Sequence, residues 1–268
     1  MHVETFVDDL SNRQDLPMMT EKDMLSLLLS TNTELGESEP EIAASIGEQM
    51  LHMNLSPLPK SIRVRIRDIC SRVPPGNATL IGGGIGHLSA WLFDLWGTTS
   101  KDELITNRPH TFRIIEPGSR FGVIIDRLIR RYDATAWAQV ISRPWSEIFA
   151  ETTSWNASSV TAPQISMEST IPLPSNLIII DLPEEERSEV ANSAFELLAP
   201  NGIIIVQEPE VPTGDVGVSE DGQELTPAQK KVDSFNKWIK LVKYVHDDHS
   251  IGFTEVSGGT LAVLIKKE

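Results

Sequence analysis

Apolar side chains recur at helical spacing in three stretches that precede the first strand-like run. Thr20 offers an N-cap and Asp23 a capping-box partner, which predicts a first helix over about 20–32. A second helix is expected to start near Pro40, and a third to end near Val73. For the arginines of the third helix, a solvated face is favoured over a phosphate site; these are Arg63, Arg65 and Arg67.

From residue 78 onward, short Ile/Val-rich runs alternate with amphipathic stretches, which is typical of a parallel sheet covered by helices on both faces. A glycine pair then separates two final strand-like runs and predicts a closing hairpin. The predicted strands are 78–81, 112–115, 137–142, 177–181, 203–207, 251–256 and 261–266. The predicted helices are 86–96, 120–132, 145–150, 185–198 and 227–243. A Ser/Thr/Pro-rich surface loop is expected at 151–175 and an acidic loop at 208–224.

These elements predict an α/β fold: one doubly wound, Rossmann-like sheet, mostly parallel, with an antiparallel closing hairpin and preceding N-terminal helices. The expected organisation is a single domain in three parts. A flexible acidic arm occupies 1–19, the N-terminal helices occupy 20–75, and the Rossmann-like domain occupies 76–268.

The composition of the chain limits the kinds of binding partner that are expected. The 268 residues carry a net charge of -15, which disfavours nucleic acid and anionic membranes and leaves a small molecule as the expected partner. One cysteine, Cys70, excludes an internal disulfide and a cysteine-based zinc cluster. The first residues lack a basic start followed by an apolar run, and no stretch has the apolar length of a membrane span, so a cytoplasmic location is expected.

The first candidate for chemistry is a glycine turn at residues 82–86, where an apolar strand passes into an apolar helix. Glycines there allow a ligand to approach the backbone closely. The spacing G-x-G-x-G lacks the sixth-position glycine of the dinucleotide fingerprint, which favours a nucleoside cofactor without pyrophosphate over NAD. The alternative is a turn that only packs strand against helix. His87 follows the turn and is a candidate to line the cofactor or substrate pocket.

Acidic side chains follow the predicted strands. Glu116 ends the second strand, where a carboxylate can accept hydrogen bonds from both ribose hydroxyls, although a carboxylate favoured by a helix N-terminus fits the same position. Asp181 and Glu208 follow two further strands at the same sheet edge and could bind Mg²⁺ or Ca²⁺ or act as a base. Alternatively, Asp181 orients the cofactor and Glu208 is solvated. Trp145 fits either an adenine contact or the core.

Together, these motifs resemble the class I S-adenosylmethionine-dependent methyltransferases, and within them the catechol and caffeoyl-CoA type O-methyltransferases, over about residues 40–268. ATLIGGGIGHLSAWL is similar to the family's first motif, RIIEPGSRFGVIIDRLI to its second, and LIIIDLPEEE to the strand that supplies a metal aspartate. The resemblance places Gly82, Gly84 and Gly86 in the cofactor turn and implies that Glu116 holds the ribose and Asp181 a metal.

Several positions depart from the family pattern, including Leu80 in place of an acidic residue before the first glycine and Ser142-Arg143-Pro144-Trp145 in place of a carboxylate near the adenine. The family's Asp-Asn metal pair falls on Glu208-Pro209, and proline has no side-chain oxygen; its frequent lysine base falls on Glu184.

The function that follows is methylation of a small hydroxylated acceptor with S-adenosylmethionine as the cofactor, assisted by Mg²⁺ or Ca²⁺. The alternatives are an inactive methyltransferase-like binding module and a nicotinamide-dependent oxidoreductase. A homodimer formed by the N-terminal helices is one alternative to their packing on their own sheet. The predicted cofactor-binding residues are Ile81, Gly82, Gly83, Gly84, Gly86, His87, Glu116, Pro117, Trp145 and Asp181. Asp181 and Glu208 are the candidates for catalysis and for metal binding.

Overall fold

The computed structural model describes residues 20–32, 35–97, 107–161, 170–213 and 225–267. The predicted arm at 1–19 and most of the predicted acidic loop, from residue 214 to 224, lie outside the described residues. Within the described parts, no helix combines the length and the apolar character needed to cross a membrane.

Helices and strands follow the predicted order. The helices are α1 (Glu21–Leu29), α2 (Glu41–His52), α3 (Lys60–Cys70), α4 (His87–Gly97), α5 (Ser119–Arg131), α6 (Trp145–Thr161), α7 (Glu184–Glu196) and α8 (Pro227–Asp248). The strands are β1 (Asn77–Ile81), β2 (Thr111–Ile115), β3 (Ala138–Ile141), β4 (Ser175–Ile180), β5 (Leu198–Gln207), β6 (Ser250–Val256) and β7 (Gly259–Ile265).

One seven-stranded sheet has the order β3-β2-β1-β4-β5-β7-β6. The pairs among β1 to β5 are parallel, whereas β7 is antiparallel to both β5 and β6. The chain runs outward from β1 to β3 and then returns to pair β4 with β1. Such a reversal of strand order leaves a crevice at the carboxyl ends of the strands, which is where open α/β sheets bind ligands. The prediction of a doubly wound sheet with an antiparallel closing hairpin is confirmed.

The N-terminal helices begin where their caps predicted. The Thr20 hydroxyl accepts a hydrogen bond from the Asp23 N–H at 3.2 Å, and Pro40 immediately precedes α2. Leu28, Ala43 and Ile46 are buried in the same hydrophobic core as the sheet. The N-terminal helices therefore pack on their own chain, and the homodimer stays a prediction.

The arginines of α3 do not form the solvated face that the sequence favoured. Arg63 and Arg65 are buried, and Arg67 is only partly exposed. Arg65 donates to the last carbonyls of α1, at Leu29 and Ser30, and pairs with buried Asp68. Carbonyl and carboxylate oxygens accept hydrogen bonds from these guanidinium groups, and helical periodicity alone does not reveal such acceptors.

Two helices are longer than predicted. The short helix predicted at 145–150 extends to Thr161, so the first part of the predicted loop at 151–175 is helical. Ile148 and Thr152 lie one turn apart and are both buried, which gives this polar sequence a face that packs. The helix predicted to end at residue 243 extends to Asp248 because Val245 continues its buried stripe.

Candidate functional site

Two cavities adjoin at the carboxyl ends of β1, β2 and β4. The glycine-turn cavity has a volume of about 580 Å³, and its lining includes Gly84, Glu116 and Asp181. The tryptophan cavity has a volume of about 490 Å³, and its lining includes Ile81 and Trp145. Residues that line both are Gly82, Pro117, Leu182 and Glu186. The crevice at the strand-order reversal thus holds two adjoining compartments that share part of their walls.

The start of the glycine turn is shaped by a close approach of two backbones. The N–H groups of Gly82 and Gly83 both donate to the Ile115 carbonyl, at 3.0 and 3.1 Å. Gly82 has a φ of +94°, and a Cβ there would lie 1.9 Å from the Asp181 carbonyl oxygen. Only glycine fits this position, because a side chain would separate the ends of β1 and β4.

Gly84 differs from the other glycines of the turn because it faces open space. Its φ is +51°, and a Cβ built there would meet no atom within 4 Å. By contrast, a Cβ at Gly83 would contact Ile114 and Ile125, and one at Gly86 would contact Leu128. The packing interpretation of the motif therefore fits Gly83 and Gly86, whereas Gly84 leaves the cavity wall as bare backbone.

Glu116 is a buried carboxylate placed directly beside Gly84. One of its oxygens accepts the Gly84 N–H at 2.7 Å, and the other accepts the Gly118 N–H at 2.9 Å. Each carboxylate oxygen has two acceptor positions, so both keep acceptor capacity toward the cavity. Two predicted cofactor-binding residues, Glu116 and Gly84, thus lie together in one wall of the cavity.

Asp181 follows β4 and lines the glycine-turn cavity. Burial raises the pKa of its carboxyl group to about 7, although the positive charges of Arg187 and Arg63 oppose the shift. A carboxyl with this pKa exchanges its proton near neutral pH, which is the property that a general base or acid needs.

Glu208 is not brought to Asp181 as the metal hypothesis requires. Its carboxylate accepts the Trp238 indole N–H at 2.9 Å, and it does not line either cavity, whereas the preceding Gln207 lines the glycine-turn cavity. Among the described residues, no group of three His, Cys, Asp or Glu side chains could hold a metal ion. With Glu208 held by Trp238, the predicted Mg²⁺ or Ca²⁺ site of Asp181 and Glu208 does not fit the described residues.

His87 belongs to a polar network between the N-terminal helices and the glycine turn. Arg63 donates to His87 Nε2 at 2.7 Å and also pairs with Glu39. The same Nε2 lies 3.2 Å from a Glu39 carboxylate oxygen. Burial, together with the Arg63 charge, lowers the pKa of the imidazole, whereas Glu39 opposes the shift. Gly47 on α2 makes room for the ring, since a Cβ there would lie 3.3 Å from Nε2.

Trp145 begins α6 and is buried, yet it also lines the tryptophan cavity. Its indole N–H donates to the Ser193 hydroxyl at 2.8 Å, which fixes the ring. The cavity wall beside it is largely apolar, and its other lining residues include Ile115, Pro144 and Phe149. A flat apolar group fits such a compartment.

Sequence reasoning missed Arg63, Arg187 and Gln207, which line the glycine-turn cavity. The sequence carries a weak signal for Gln207, because it ends a buried strand at the predicted ligand edge. No signal separates Arg63 from the two other arginines of its helix, and Arg187 stands among the acidic residues of α7. Their placement depends on how the helices pack.

Known structures share this architecture. An O-methyltransferase from Bacillus cereus in complex with SAH superposes with a TM-score of 0.58 at 13% identity, covering 87% of this chain and 94% of that chain. The O-methyltransferase TomG from Streptomyces achromogenes, in complex with SAM, gives 0.56 at 15% identity, with 87% and 93% covered. The SAH-bound Podospora anserina methyltransferase PaMTH1 gives 0.51 at 12% identity, with 85% and 88% covered.

What these proteins share with the chain is the fold. At these identities the likeness is one of fold, and it covers most of each chain. No protein-family model and no curated protein sequence matched this sequence. The Rossmann-like fold that the sequence motifs implied is therefore confirmed by structure.

Proposed function

We propose that this protein is an S-adenosylmethionine-dependent methyltransferase that methylates a hydroxyl group of a small acceptor. The observation that carries the proposal is the pairing of Gly84 with Glu116. The Gly84 backbone, which has no side chain, lies on one cavity wall beside the buried Glu116 carboxylate. That carboxylate can accept further hydrogen bonds. The shared fold supports the choice, because the B. cereus and S. achromogenes structures are O-methyltransferases in complex with SAH and SAM.

The chain's residues suggest a division of the two compartments. The apolar wall and fixed indole of Trp145 suit an adenine ring, and Glu116 suits the two ribose hydroxyls. The glycine-turn cavity is then left for the amino-acid part of the cofactor and for the acceptor. When bound, S-adenosylmethionine supplies an electrophilic methyl group on a sulfonium sulfur.

Asp181 is the proposed base. Its carboxylate form would accept the proton of the acceptor hydroxyl as the oxygen becomes a nucleophile, and its pKa of about 7 suits this role at neutral pH. The remaining walls of the cavity hold the acceptor in place and limit water, so much of the rate enhancement is expected to come from positioning. No step requires a metal.

A small acceptor is favoured over a nucleic acid by charge. The chain carries a net charge of -15, which opposes a polyanionic substrate. A nicotinamide oxidoreductase is disfavoured, because the glycine turn lacks the sixth-position glycine and because β7 adds an antiparallel strand beside β5.

Calorimetry tests the proposal. Titration with S-adenosylhomocysteine should show saturable binding, and NAD⁺ at the same concentrations should show none. The variant Gly84→Asp, whose side chain would project into the cavity, should lose this binding while keeping the thermal unfolding profile of a folded protein. Val123→Asp is a matched control, because Val123 is an exposed residue that lines neither cavity. Unchanged binding by Gly84→Asp would overturn the proposed pocket.

A binding module without catalysis is the second candidate. It is favoured by Glu208, which is engaged with Trp238, and by Glu184, whose carboxylate accepts the Glu210 N–H at 3.1 Å instead of facing an acceptor as a base. Incubation with methyl-labelled S-adenosylmethionine and a panel of catechols and phenols separates the two. Labelled product supports the enzyme, whereas cofactor binding with no transfer to any member supports the module.

A further inference from the structure

Two arginines from different helices line the glycine-turn cavity together with Asp181. Arg63 comes from α3 and Arg187 from α7, and the positive charges of both act on the Asp181 carboxyl. Neither guanidinium forms an ion pair with Asp181 within 4.0 Å. Two cations thus face a common space beside the proposed base.

The Arg63 side chain is fixed by several contacts, but one of its terminal nitrogens, Nη2, is not used in them. Its Nε donates to the Leu58 carbonyl at 3.0 Å, and its Nη1 is engaged by Glu39 and His87. The guanidinium also lies over the Trp91 ring at 5.3 Å. Nη2 makes no hydrogen bond to any described residue, although the residue is only 6% exposed. Its two N–H groups therefore have no partner among the described residues, on a side chain that lines the cavity.

Arg187 has more free donors than Arg63. Its Nε donates to the Leu182 carbonyl at 2.8 Å, which fixes the direction of the side chain. Within the described parts of the chain, Nη1 and Nη2 make no hydrogen bond and no ion pair. Burial lowers the pKa of this guanidinium, whereas the negative charges of nearby carboxylates oppose the shift; these are Asp181, Glu184, Glu185 and Glu210.

We propose that Arg63 and Arg187 form a binding site for a carboxylate group in the glycine-turn cavity; this inference rests on the proposed function. The guanidinium fork matches the two oxygens of a carboxylate, and partly buried guanidinium groups with unused donors gain most from such a partner. Part of the cavity lining is apolar, and an apolar group is therefore expected beside the carboxylate. The apolar lining residues include Met50, Leu55, Leu58 and Phe121.

Two ligands could supply this carboxylate. One is the amino-acid end of S-adenosylmethionine, and the other is an acceptor that carries a carboxylate in addition to its hydroxyl. Matched pairs of probes distinguish them. S-Adenosylhomocysteine and 5′-methylthioadenosine share the adenosyl thioether, but only the first has a carboxylate. 3,4-Dihydroxybenzoate and catechol, titrated into protein saturated with S-adenosylhomocysteine, form the corresponding acceptor pair.

The variants are Arg63→Gln, Arg63→Lys and Arg187→Gln. The control is Arg67→Gln on the same helix, because Arg67 also lies over the Trp91 ring and forms an ion pair, with Asp94, yet does not line this cavity. Arg63→Lys keeps the charge and removes the fork, so it carries the test together with Arg187→Gln if Arg63→Gln unfolds. Thermal unfolding of each variant identifies that case.

The expected result is a selective loss. Either Arg→Gln variant should weaken the carboxylate-bearing member of one probe pair by about 10- to 100-fold, with the carboxylate-free member unchanged. The pair that responds identifies the source. Equal losses for both members of a pair, or no loss in either pair, would overturn the carboxylate site. If the wild-type protein binds neither nucleoside, the proposed function fails, and titration of 3,4-dihydroxybenzoate into the free protein decides the carboxylate site.

Discussion

The Glu116 carboxylate accepts the backbone N–H of Gly84 at 2.7 Å across the mouth of the crevice. This bond joins the end of β2 to the turn that follows β1, and it places an acceptor group beside the bare backbone of the cavity wall. Both residues belong to motifs that the sequence assigns to the cofactor site, and the bond between them is the basis of the first prediction.

Replacing Glu116 with alanine should weaken S-adenosylhomocysteine binding by about 10- to 100-fold, because hydrogen bonds to a charged acceptor contribute about 1.5–3 kcal/mol. Calorimetry measures the change. Glu116→Gln keeps one carbonyl acceptor and should fall between wild type and alanine. Affinity that is the same in all three proteins would contradict a ribose contact.

Replacement by alanine should affect mainly stability at Gly82 and mainly ligand binding at Gly84. Gly82→Ala places a Cβ against the Asp181 carbonyl, so we expect severe destabilisation or failure to fold. Gly84→Ala meets open space and pays only for its positive φ, about 1 kcal/mol, but narrows the cavity. Denaturant unfolding and calorimetry together test the pair. A Gly84→Ala protein as unstable as Gly82→Ala would argue against an open cavity there.

Asp181 predicts a pH-dependent stability. Its pKa is raised from 3.8 to about 7 in the folded protein, so the folded chain retains a proton that the unfolded chain loses. The free energy of unfolding should therefore fall as pH rises from about 4 to 7. Asp181→Asn removes this penalty, and its stability advantage should be about 2 kcal/mol greater at pH 8 than at pH 5.

Denaturant unfolding at the two pH values measures this difference. Asp126→Asn is the control, because Asp126 is exposed and pairs with Arg130 on the surface of α5. An advantage of Asp181→Asn that is equal at both pH values would contradict the raised pKa. In a transfer assay, Asp181→Asn should also abolish the rise in rate between pH 6 and 8 that the wild type is expected to show.

Glu208 should be a structural residue. Glu208→Gln retains an acceptor for the Trp238 N–H, whereas Glu208→Ala leaves that buried donor unpaired at a cost of about 1–3 kcal/mol. Cofactor affinity should be unchanged in both variants and insensitive to Mg²⁺ or EDTA. Thermal unfolding and calorimetry measure the two properties. A Mg²⁺-dependent affinity that Glu208→Gln abolishes would restore the metal hypothesis.

The sequence by itself determined the alternation of strands and helices, the closing hairpin, and the positions of the glycine turn and of Glu116 after their strands. These features depend on local periodicity, on glycine at strained positions and on which side chains follow each strand, all of which adjacent residues encode. The lengths of α6 and α8 were less predictable, because Thr152 and Val245 are buried by neighbours distant in sequence.

The tertiary structure decided the chemistry of the cavity. It buried Arg63, brought Arg187 to the lining of the same cavity and raised the pKa of Asp181. It also placed the Glu208 carboxylate against the Trp238 indole. Each outcome depends on how helices from separate parts of the chain approach the sheet edge. Electrostatic energies depend on burial and on distances between such groups, and a linear sequence specifies neither.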